Sequence, residues 1–127
     1  MATSPTQRTL ALCKKQGRTS GIVEKFNSFI KIRQDLFGFI DIICIDPKQG
    51  IVAVQSCGQS HSDHIIKLTV EREEIVKEWL KHAPLELISW RKLKVKRGGK
   101  AMKWVPRIVD FSLDTNGDII HKERELI

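Results

Sequence analysis

Asp41 stands inside FGFIDIICID, residues 37–46, a run with strand character and almost no other polar group. As a strand it carries Phe37, Phe39, Ile43 and Ile45 on the side of Asp41, and Ile40, Ile42 and Cys44 on the other. Strands apolar on both sides belong in the middle of covered sheets. An ionised carboxylate there costs several kcal/mol unless a cation compensates it. The turn DPKQG comes next, and IVAVQSC (51–57) returns as a second strand. Pairing Ile45 with Ile51 carries the register back to Asp41 opposite Gln55; a slip of two residues puts Asp41 opposite Cys57, still on the same face. Opposed Cβ atoms lie roughly 5 Å apart, so the carboxylate and an amide oxygen can share one hard cation, Mg²⁺ rather than Zn²⁺. The plainer alternative is a buried carboxylate paired with Arg33 or Lys67.

Several elements must position these residues. Ser4–Pro5 is an N-cap with proline at the first helical position and Gly17 is a stop, which predicts a helix over 5–16. GIVEKF (21–26) has strand character and NSFIKIRQD is a bend or half-strand. The strand 37–45 and its hairpin partner 51–57 come after it. Ser60 and Asp63 form a capping-box pattern opening a helix that runs to Ala83, before Pro84, with Arg72 interrupting its apolar stripe. A strand over 85–90 leads into a basic hairpin, 92–96 with 101–113, around the turn RGGK. The expected fold is α/β: a mixed sheet flanked by helices, as one domain over 1–113 with a loosely attached polar tail over 114–127.

Charge is concentrated. Of a net +7, the segment Arg91–Arg107 holds eight basic residues and no acid (Arg91, Lys92, Lys94, Lys96, Arg97, Lys100, Lys103, Arg107), so the remainder is close to neutral. A cationic stripe on a near-neutral body is the footprint of a polyanion, nucleic acid first. The same lysines also discourage edge pairing in a solvated hairpin. Trp90 and Trp104 flank or enter this segment and suit either base stacking or core packing. Three widely spaced cysteines suggest reduced thiols and not a disulfide framework. No apolar run reaches membrane-span length and MATSPTQRTL lacks a signal-peptide core, so a cytoplasmic location is expected.

DLFGFIDIICID, a turn and IVAVQSC together resemble the core of the PD-(D/E)XK nuclease superfamily, particularly its small Holliday-junction-resolvase-like members of archaea and phages. The resemblance covers roughly residues 5–95. It implies a restriction-endonuclease-like sheet, with Asp41 as the motif aspartate, Gln55 in place of the second acid and Cys57 in place of the motif lysine. Lys67, in the helix after that strand, takes the migrated lysine's position. Resolvase-like members usually carry a glutamate in helix one as well; PTQRTLALCKKQG has no acid, and Asp35 and Glu24 are the nearby carboxylates able to compensate. The resemblance thus implies a Mg²⁺-dependent, structure-selective DNA endonuclease, with Mn²⁺ as an alternative ion. Asp41, Gln55 and Lys67 are then catalytic, Asp41, Gln55 and Asp35 hold metal, and Arg33 and the 91–107 cations grip DNA. A homodimer, nucleoid-associated or phage-encoded, is implied too. The altered motif supports, as the second reading, a nuclease-fold DNA-binding protein or complex subunit with little or no activity; a third and weaker reading is an RNA-directed nuclease on the same scaffold, since a backbone-gripping stripe carries little base information.

Overall fold

The computed structural model describes residues 4–124, apart from the side chain of Arg33. The roles expected of the Arg33 side chain, in pairing with Asp41 or gripping DNA, therefore lie outside the described residues.

Helix α1 spans Pro5–Lys15. Ser4 Oγ accepts from the Gln7 N–H at 3.2 Å, Pro5 occupies the first turn, and Lys14 and Lys15 lie at the negative end of the dipole. Gly17, at φ 78°, ends it in a conformation that glycine adopts without steric cost. The strands are β1 (Thr19–Ile22), β2 (Lys25–Asn27), β3 (Ile32–Gln34), β4 (Ile42–Asp46), β5 (Gly50–Cys57), β6 (Leu85–Lys94), β7 (Met102–Leu113) and β8 (Ile119–Arg124). Between β5 and β6 lie α2 (His61–Ile66), a π-helical turn (Lys67–Glu71) and α3 (Glu73–Leu80).

Six strands form one sheet in the order β1-β4-β5-β6-β7-β8, and β2–β3 is a separate hairpin. Only β5–β6 is parallel among the pairs of this sheet, joined by the helical crossover as a parallel pair requires. The sheet is thus mixed and flanked by helices, as expected. One face packs Cys13, Leu10 and Leu12 of α1 on Ile42, Cys44, Val52, Val54, Ile88 and Ile108. The other packs Leu68 and Val76 of the crossover on Ala53, Leu85, Leu87, Val109 and Phe111.

Five expectations need correction. The strand expected over 21–26 is two: β1 ends at Ile22 in the main sheet, and β2 starts at Lys25 in the separate hairpin. Strand β4 begins at Ile42, not Phe37: Leu36 and Ile40 bridge a tight turn whose Phe37 and Gly38 have φ of 56° and 82°. A side chain at Gly38 would have to displace the guanidinium of Arg72, whose Nε lies 2.9 Å from a Cβ built there. The expected helix over 60–83 is broken at Arg72, and Ser60 makes no side-chain cap. Its hydroxyl faces His64 Nδ1 instead. Strand β6 is continuous through the Trp90–Lys92 boundary, because β7 pairs with it along its whole length. Residues 119–124 are not a loose tail but strand β8, paired with β7 from Ile108↔Arg124 to Leu113↔Ile119.

Candidate metal centre

Asp41 sits one residue before β4, yet its backbone is already in the sheet. Its N–H donates to Val54 C=O at 3.0 Å and its C=O accepts from Val23 N–H at 2.8 Å. The hairpin register is the one read from the turn, Ile45↔Ile51 through Ile42↔Val54. Period-two alternation then turns Asp41 and Gln55 to the same face. Gln55 Nε2 donates to Asp41 Oδ2 at 2.6 Å, and the Ser56 N–H donates to the same oxygen at 2.8 Å. Both side chains are buried.

Two further carboxylates converge there. Glu24 lies between β1 and β2 and Asp35 directly after β3; one oxygen from each, with one from Asp41, falls within 4.8 Å of the others. Lys67 Nζ reaches Asp35 Oδ2 at 3.0 Å. Burial first, and Asp35 second, push Asp41 up to about 8. Burial also opposes charge on Asp35, but the contact with Asp41 and the Lys67 ammonium outweigh it and hold that carboxyl below its usual range. Without metal the two aspartates therefore hold a proton between them near neutrality. A divalent cation would take the place of that proton.

The donor set fits such an ion. Three carboxylates are hard oxygen ligands of the kind Mg²⁺ prefers. Among the described residues Gln55 Oε1 is buried with no hydrogen-bond partner, while the Nε2 end of the same amide faces Asp41 and Asp35. A half-turn of the amide would exchange the two ends and offer the oxygen to a cation bound among the carboxylates.

The π-helical turn supplies the positive side. Arg72 N–H donates to Lys67 C=O at 2.8 Å, an i→i+5 bond that stacks the fifth residue above the first. Lys67 and Arg72 thereby line one cleft of about 410 Å³ with Asp35, Gln34, Ile32 and Gly38. No family model, curated protein or solved structure matches this chain.

Asp35, Asp41, Gln55 and Lys67 are thus brought together, and Glu24 joins them. Sequence reasoning did not single out Arg72 for the site, although its interruption of an apolar stripe was the signal. Cys57, in place of the motif lysine, is buried, which pushes its thiol up to about 11 and leaves it neutral. It supplies no charge to the centre. The basic segment is elsewhere: Arg91, Lys92, Lys94, Lys96, Arg97, Lys100 and Lys103 are all exposed on an arm formed by the distal halves of β6 and β7. Arg107 lies at the base of that arm and binds Glu123 Oε1 at 2.9 Å. Trp90 is core, its Nε1 donating to Thr9 Oγ1 at 2.9 Å. Trp104 is 38% exposed under the Arg8 guanidinium, 3.9 Å from the ring centroid. No described helix is long and apolar enough to cross a membrane.

Proposed function

We propose that this chain is a Mg²⁺-dependent DNA endonuclease of the PD-(D/E)XK type, cutting phosphodiesters of branched or otherwise structured DNA in the manner of the resolvase-like members it resembles. The observation that carries the reading is the convergence of Glu24, Asp35 and Asp41 beside the Gln55 amide and the Lys67 ammonium. A purely structural carboxylate would be matched by its own cation; Asp41 instead meets an amide, a backbone N–H and a second aspartate.

In this reading Asp41, Asp35, Glu24 and Gln55 hold the metal, with Mn²⁺ as a substitute. The ion, when bound, polarises the phosphate and lowers the pKa of the attacking water. Lys67, now on Asp35 at 3.0 Å, would turn its ammonium to the scissile phosphate across the cleft if Asp35 served as a metal ligand. Arg72, on the same cleft wall, holds a non-bridging oxygen. The cationic arm grips flanking backbone without reading sequence. A homodimer, presenting two centres to a branched substrate, belongs to the same proposal.

The second reading is a DNA-binding protein of the same fold with little activity. It is favoured by one feature, the substitution of an uncharged amide at Gln55 for a charged ligand, with its nitrogen now facing Asp41. One experiment separates them: labelled linear, flap and four-way-junction DNA incubated with the protein in Mg²⁺, in Mn²⁺ and in chelator. Cleavage that disappears in chelator supports the enzyme; binding without cleavage in either metal supports the second reading.

A further inference from the structure

Glu24 directly precedes β2 and Asp35 directly follows β3, so the β2–β3 hairpin stands on two of the three clustered carboxylates. Any polymer that lays a phosphodiester in the centre meets this hairpin. Its surface is unusual. Phe29 at the tip is 97% exposed, with Phe26 at 55% and Ile30 at 55%.

The tip is nevertheless built. Asn27 Oδ1 accepts from the Phe29 N–H at 3.0 Å and the Ile30 N–H at 3.3 Å, and Lys31 takes φ 54°. An Asx turn of this kind fixes the local backbone, and the Phe29 ring it carries stands in solvent. Phe26 and Phe29 line a cleft of about 370 Å³ with Lys25, Asn27, Ser28 and Gln34. Residues 25–34 contain three cations and no acid.

Aromatic rings interleaved with cations match nucleic acid, where a base stacks on the ring while its phosphate is neutralised alongside. A second copy of this chain fits less well. A two-fold interface would set the same acid-free patch against itself, and like charges brought face to face oppose association.

We propose that the β2–β3 hairpin is a base-stacking element, in which Phe29, at the tip of the hairpin whose base carries Glu24 and Asp35, takes the face of an unpaired nucleobase. This rests on the nuclease reading for the identity of the polymer and gives it a source of structure selectivity. A base in linear duplex has both faces covered by its neighbours, whereas one at a bulge, flap or branch is unstacked at little cost.

The test measures binding in chelator, where no cleavage intervenes, to two DNA duplexes of equal length. One is fully paired; the other carries a single unpaired 2-aminopurine. The parent should bind the bulged duplex more tightly and change its 2-aminopurine fluorescence. Phe29→Ala should weaken binding to the bulged duplex about tenfold and leave the paired duplex within about twofold, with Phe29→Trp restoring the difference. At 97% exposure the ring makes no packing contribution that alanine would remove, so the variant should melt like the parent. No bulge preference in the parent, an equal loss on both duplexes, or conversion of a sedimenting dimer to monomer with the preference unchanged each overturns the proposal. A Phe29-dependent preference in a protein that cleaves nothing would remove the nuclease reading and keep this one. Metal-dependent cleavage without that preference would do the reverse.

Discussion

The sheet buries charge on both faces, and the two clusters are built on opposite terms. On the α1 face, Arg18 donates to Glu86 through both terminal nitrogens, at 2.8 and 2.7 Å, and through Nε to Asp46 at 2.7 Å. Arg124 completes the group, meeting Glu86 at 2.9 Å and Asp110 at 3.0 Å. Two planar guanidiniums there satisfy three carboxylates with fork geometry. On the crossover face, Asp35 takes the Lys67 ammonium, burial and the neighbouring Asp35 push Asp41 up to about 8, and among the described residues the Gln55 amide oxygen has no partner. In the α1-face cluster each of the three carboxylates meets a guanidinium. In the crossover-face cluster one ammonium among the described side chains meets Asp35, and Asp41 meets none; the metal proposal rests on that difference.

That contrast is tested most forcefully at Arg18. Arg18→Met removes the bidentate partner of Glu86, 1% exposed, and leaves it Arg124 alone; removing one member of a buried pair costs up to about 3–5 kcal/mol, and Arg124 offsets part of it. Denaturant melts should show that loss equally in Mg²⁺ and in chelator; metal-sensitive stability in this variant would mean that the two clusters are not independent. Asp41→Asn should act the other way. It removes a negative ligand from the ion but no compensated charge from the fold, so cleavage should fall roughly a hundredfold or more while the protein stays folded. Undiminished cleavage by Asp41→Asn would sink the metal-centre reading.

pH separates the clusters next. Asp41 has a folded-state pKa raised to about 8 from 3.8, so between those values the folded chain binds the extra proton. Its stabilising contribution is complete below the unfolded value and is lost as pH rises towards 8. In chelator the melting temperature should therefore fall by several degrees between about pH 5 and 8, and Asp41→Asn should flatten that slope. Asp46 is the converse: hydrogen bonding to Arg18 lowers it to about 2, so its contribution is present at neutral pH and disappears only as acid approaches that value. A chelator-state melting profile that is flat from pH 5 to 8 in the parent would contradict the shared proton.

The finest distinction lies at Gln55. Gln55→Glu adds a charged oxygen beside Asp41, which should tighten Mg²⁺ by about tenfold and lower the melting temperature in chelator alone, through carboxylate repulsion. Isothermal titration with Mg²⁺ and paired melts check both. If neither changes, the amide does not face the ion.

Sequence alone determined the parts that depend on local chemistry and parity. The turn DPKQG and period-two alternation were enough to bring Asp41 and Gln55 to one face, because a two-residue slip preserves that face and only an odd slip would destroy it. The N-cap of α1, the mixed sheet and the segregation of cations into residues 91–107 were legible for the same reason: each is written in consecutive residues. Tertiary structure decided what depends on residues far apart. FGF reads as strand, but Arg72 lies against Gly38 and the chain turns there, so β4 starts late. Residues 119–124 read as polar tail because an edge strand needs apolar residues on one side only, and their order comes from the β7 ladder they join. Nor does any spacing reveal that Glu24, 17 residues before Asp41, closes the acidic cluster, or that an i→i+5 turn sets Arg72 above Lys67. Those juxtapositions exist only once the sheet and its crossover have packed, since burial is what forces widely separated polar groups to find one another.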